Sequence, residues 1–156
     1  MCVAPGSIIK TGNIKPSDIV PRAAIVRDGA RVYIDLKKLS IGFTKAPIPH
    51  WPPIEATKSM LPTFGSGHNN LLLEPADADN HQIMVDYLEK ETQKGYQNII
   101  VWRSSETLHI IHRVVKVGED EGGRYFRTKG DNIFVTQDPH KVRDEEILYI
   151  SVGIIF

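Results

Sequence analysis

The sequence predicts a mainly β fold carrying one or two helices. Three observations predict it. Four runs, 98–103, 108–117, 124–128 and 147–155, are rich in β-branched and aromatic residues. Turn chemistry separates several of the runs, including Glu119-Asp120-Glu121-Gly122-Gly123 between the second and third. Only one stretch, 78–95, has clear helical periodicity.

Taken in order, residues 1–21 are broken by Pro5, Gly6, Gly12, Pro16 and Pro21 and read as irregular. The runs 23–27 and 31–36 flank Asp28-Gly29, a strong hairpin signal. Residues 45–53, KAPIPHWPP, hold four prolines and read as an extended linker rather than a central strand. The linker marks the expected border between an N-terminal extension, 1–50, and a main β domain, 51–156. Leu71-Leu72-Leu73 reads as a buried strand. In 78–95, Ile83, Met84, Tyr87, Leu88 and Glu91 form a stripe at helical spacing, with Asp79 or Asn80 as the expected N-cap and Gly95 as the end. No internal repeat or low-complexity tract is present.

Composition narrows the function. The chain has 156 residues, 41% hydrophobic and 24% charged, enough for one domain with a core. Nineteen basic and nineteen acidic side chains cancel, so no nucleic-acid partner is expected. Cys2 is the only cysteine, which excludes a disulfide scaffold and a cysteine-rich zinc site. No stretch approaches the roughly 20 apolar residues that span a bilayer. As written the chain reads as soluble, with membrane contact only through a partner or a further segment.

Three short segments could carry chemistry. In Ser59-Met60-Leu61-Pro62-Thr63, a turn with a capping hydroxyl is the plain reading. In Ile110-Ile111-His112-Arg113-Val114-Val115, His112 is either a core or rim histidine or a general base near neutral pH. Lys129-Gly130-Asp131-Asn132, followed by Asp138-Pro139, offers a turn or a carboxylate that could orient a histidine. His109 and His112, three apart on a strand, face opposite ways and cannot share a metal. No clustered ligand spacing suggests a metal, and no cofactor is implied. Trp51 and Trp102 read as core or groove-lining residues.

In this order the segments resemble the type I signal peptidase superfamily. The matching blocks are SMLPT (59–63), IIHRVVKV (110–117) and RTKGDN with Asp138 (127–138). NIIVWRS (98–104) is a looser fourth, and the resemblance runs from 57 to 155. A histidine at position 112, where the bacterial enzymes carry lysine, is similar to the endoplasmic-reticulum and archaeal branch. The resemblance implies an antiparallel sheet or partial barrel and a serine endopeptidase acting on an extended polypeptide. It makes Ser59 the nucleophile, His112 the base and Asp138 the residue orienting His112. Asp131 supports the loop or shares that task, and the two aspartates could exchange roles. The Ser59 backbone N–H, with the Thr57 hydroxyl two residues earlier, would meet the oxyanion. Lys58 points elsewhere in an extended segment, and Lys116 lies too far along the strand to replace His112.

The family prefers small residues just before the cut. Segments 54–59 and 99–103 would border the groove. The chain departs from the family in lacking a transmembrane helix before the serine, in Phe64-Gly65-Ser66-Gly67 after the first block, and in the inserted helix. These departures keep two other functions open: a binding or structural module on a peptidase-like fold, and a self-processing protease.

Overall fold

The computed structural model of the chain describes residues 24–28, 31–35, 40–53, 58–65 and 67–155. Thr57 and Cys2 lie outside them, as do segment 54–57 of the expected groove and the irregular stretch 1–21. The architecture is mainly β. Strands β1 (Ala24–Asp28) and β2 (Arg31–Asp35) form an antiparallel ribbon. Strands β3 (Ile48–His50), β4 (Asn69–Glu74), β5 (Ile99–Arg103), β6 (His109–Asp120), β7 (Gly123–Lys129) and β8 (Ile147–Ile155) form one antiparallel sheet in the order β3-β4-β8-β5-β6-β7. The sheet stays open, with β3 and β7 at its edges, and the described α-helix is α1 (Ala78–Gln93). No described helix is long and apolar enough to cross a membrane.

The hairpin expected around Asp28-Gly29 forms, one residue out of the expected step. Asp28 pairs with Arg31, and the positions between them lie outside the described residues. The proline-rich stretch expected as a linker is part of the main sheet. Ile48, Pro49 and His50 pair with Glu74, Leu73 and Leu72, and Pro53 bridges to Asn69. An edge strand turns half of its N–H groups away from the ladder, which is where a proline costs no hydrogen bond. Ile41, upstream of β3, is already in the core.

The N-cap of α1 is Asp77, not Asp79 or Asn80. The extended Asp77 carboxylate accepts the Asn80 N–H at 2.9 Å. Asn80 cannot cap because it is fully buried and otherwise engaged: its Oδ1 accepts the N–H groups of Thr44 (2.8 Å) and Lys45 (3.2 Å). Asp79 falls in the first turn, where its charge favours the helix dipole. Gly95 ends the helix with φ 88°, a conformation that glycine adopts without strain.

Met84, Val85 and Leu88 of α1 pack on Leu73, Ile100, Trp102, Ile150 and Val152, forming the main core on one face of the sheet. Ile99 and Ile111 point the other way from Ile100 and Ile110. They meet Met60, Phe64 and Ile154 in a smaller cluster. Arg124 on β7 ties the helix down, reaching Asp86 and Glu89 on α1 and Asp144 below it.

Two surface carboxyls are held below their ordinary range by basic partners and amides. Lys141, then Arg143 and the Gly122 N–H, hold Asp120 down at about 2. Lys45 and the Asn80 amides hold Asp77 below the usual carboxylate range. Both folded-state values lie beneath the roughly 3.9 of an unfolded aspartate. Their stabilisation is therefore complete above about pH 5 and is lost as pH falls from about 4 toward 2. The urea midpoint is expected to fall over that window, and Asp120→Asn to flatten the fall.

Candidate active site

Apolar residues on the C-terminal side of Ser59 anchor its turn. Met60 and Phe64, 0% and 1% exposed, plug into the smaller cluster against Ile99. Leu61 N–H donates to Lys58 O and Phe64 N–H to Met60 O, each at 3.2 Å. Ser59 is left half-buried at the surface of this plug.

His112 sits on β6 opposite Ile100, with its side chain 10% exposed. The Asp138 carboxylate lies 2.7 Å from Nδ1, so an N–H there donates to Oδ2. The same oxygen accepts the Thr128 hydroxyl at 2.5 Å, and Asp138 N–H donates to Thr128 O at 2.8 Å. Thr128 is fully buried. The chain after β7 thus folds back along it, bridging Lys129 to Gln137, and delivers Asp138 beneath the imidazole. Engaging Nδ1 leaves Nε2 for proton transfer. This nitrogen lies beside Gly130, on which the Ser59 carbonyl also packs. A methyl carbon added at Gly130 would lie 3.2 Å from Nε2 and 2.4 Å from the Ser59 carbonyl oxygen. Only glycine fits between β7 and the serine turn.

The rest of the Gly-Asp-Asn segment clamps that turn. Asn132 N–H donates to Ser59 O and its Nδ2 to Lys58 O, both at 2.9 Å. Asp131 faces away from the imidazole: its two oxygens accept Arg113 Nε and Nη2, each at 2.7 Å, and one also accepts the Thr63 hydroxyl. Arg113 Nη1 donates to Gln97 O at 2.7 Å. Side-chain exposures of 10% and 13% make this a buried bidentate pair. The two aspartates are therefore not interchangeable. Asp138 orients the histidine, and Asp131 locks the serine turn to β6.

Ser59, His112, Asp138 and Asp131 are thus gathered into one locality. Arg113, Thr128, Thr63, Gly130 and Asn132 also build it, and the sequence alone assigned them no part. Period-two alternation was the available signal for Arg113: next to His112, it had to face the other way, toward the serine plug.

A cleft of about 880 Å³ opens at Ser59 and His112. Leu72, Val101, Ile110, Ile111 and Tyr149 line it, with walls from 49–53 and 108–112. Of the expected borders, Ser59 and Val101 take part. Trp51 is a groove wall, 62% exposed, whereas Trp102 is core at 2%. Burial and the nearby Glu74 charge raise the Tyr149 hydroxyl above its ordinary value, so it stays protonated near neutral pH. His109 is exposed and His112 buried.

The cleft also meets an open strand edge. Val114 N–H donates to Asn98 O on the β5 side. Alternation turns the backbone groups of His109 and Ile111 to the other side. There the β7 ladder has stopped at the Arg113–Lys129 pair.

No protein-family model, curated protein or solved structure matches this chain.

Proposed function

We propose that the chain is a serine endopeptidase of the signal-peptidase type. The observation that carries this reading is the buried His112–Asp138 contact at 2.7 Å, with His112 Nε2 and the Ser59 carbonyl both beside Gly130. A serine hydroxyl needs an adjacent base, and the base needs a fixed tautomer. The cleft's exposed strand edge supports an extended polypeptide substrate, paired to His109 and Ile111 as an added strand.

In the proposed reaction Ser59 Oγ attacks the scissile carbonyl carbon while its proton passes to His112 Nε2. Asp138 stabilises the imidazolium. The carbonyl oxygen becomes the oxyanion, met by the Ser59 backbone N–H. The C–N bond then breaks, and the leaving amine takes the proton from Nε2. Water, deprotonated by the same nitrogen, releases the acid and restores Ser59.

Peptide p-nitrophenyl esters test the acylation step. A burst of nitrophenol with an acyl mass on the peptide containing Ser59 is expected. An adduct elsewhere, or an equal burst from Ser59→Ala, rejects the proposal.

A further inference from the structure

Ile133 and Phe134 are the most exposed large apolar side chains among the described residues, at 83% and 88%. They are consecutive on a turn that is held firmly. Val135 N–H donates to Asn132 O at 3.0 Å, and Phe134 N–H to Asn132 Oδ1 at 3.0 Å. Lys129 Nζ donates to the carbonyls of Gly130 (3.0 Å) and Asn132 (3.3 Å). An ordered turn presenting two bulky apolar groups to water marks an interaction surface.

The surroundings of the turn say what kind. Lys58 is exposed at its base, where its carbonyl accepts Asn132 Nδ2. Arg127 Nη1 donates to the carbonyls of Asp138 and Pro139, and its guanidinium lies 5.9 Å from the Tyr125 ring centre. Lys58, Arg127 and Lys129 form no ion pair with a carboxylate among the described residues. The nearby carboxylates Asp131 and Asp138 are turned inward, to Arg113 and His112. In a chain with zero net charge, this corner carries an apolar tip above two lysines, Lys58 and Lys129, with no carboxylate partner among the described residues.

We propose that the turn at 131–135 docks on an anionic lipid surface. Ile133 and Phe134 enter the boundary between headgroups and acyl chains, and Lys58 and Lys129 meet the anionic headgroups. The sequence alone routed membrane contact through a partner or a further segment; the exposed turn makes it a property of this chain's own surface. The Asn132–Ser59 hydrogen bond couples the tip to the serine turn, so docking holds the cleft beside the interface. The proposal stands independently of the peptidase reading, because it needs no turnover.

Co-sedimentation of the full chain with vesicles tests it, using phosphatidylcholine alone or mixed with phosphatidylglycerol. Binding to the mixed vesicles is expected, weakened by salt. The double substitution Ile133→Ser with Phe134→Ser is expected to lower partitioning by about tenfold or more with an unchanged circular dichroism spectrum. Lys58→Ala is expected to weaken binding only to the anionic vesicles. In Phe134→Trp, brominated lipid is expected to quench an emission component absent from the unsubstituted chain. Failure of the unsubstituted chain to sediment overturns the proposal, as does full binding by the double variant. Self-association that the double variant abolishes, without vesicle binding, overturns it in favour of a second copy of the chain.

Discussion

His112→Ala is expected to lower peptide turnover by about 10⁴-fold or more while the protein stays folded. The imidazole is buried with one nitrogen committed to Asp138, and on the proposed reading its removal deletes the base. Asp138→Asn is expected to cost turnover on the same scale. An amide in place of the carboxylate no longer selects the Nδ1–H tautomer or stabilises the imidazolium. With its nitrogen at the position of Oδ2, the amide can donate to Nδ1 and to the Thr128 hydroxyl oxygen, which preserves the local fold. The two substitutions act on one unit, so the double variant should be little worse than either single one. Steady-state rates checked alongside thermal melting separate this outcome from simple unfolding. Rates multiplying independently would show that the two residues do not form a relay.

Asp131→Ala is expected to act on stability, by about 3–5 kcal/mol. It removes the bidentate carboxylate from the buried Arg113 guanidinium and frees the Thr63 hydroxyl, which loosens the serine turn from β6. For a chain of this size the melting temperature should fall by about 10 °C or more. Replacing both partners, Asp131→Leu with Arg113→Met, should recover much of that loss, because no uncompensated charge remains buried. Urea unfolding of the two singles and the double measures the coupling directly. A single variant with unchanged stability would remove the pair from the account.

Much of the sheet was legible because its strands are continuous β-branched runs: 98–103, 108–117, 124–128 and 147–155 all correspond to strands. The helix was legible from its stripe and from Gly95. Its cap was not, because Asp77, Asp79 and Asn80 are chemically equivalent candidates until burial removes Asn80. β3 escaped because propensity penalises Pro49 wherever it stands, while the sheet places it at an edge. At the candidate site, the order Ser, His, Asp was readable. The division of labour between Asp131 and Asp138 came only from the resemblance, with their exchange left open, and the structure agrees with Asp138 on the histidine. It depends on the loop after β7 returning to bridge Lys129 with Gln137, a long-range pairing that spacing does not encode. Arg113 and Thr128 stayed hidden for a similar reason: each reads as an ordinary strand residue until its partner arrives from another segment.

The central claim is that Ser59 is the nucleophile of a polypeptide hydrolase. Incubating a mixed-sequence peptide library with the full chain and with Ser59→Ala, then sequencing the products by mass spectrometry, tests it most directly. The account predicts new termini from the unsubstituted protein and none from Ser59→Ala, with both equally folded. Intact peptides from both, or the same cleavage pattern from both, would contradict it.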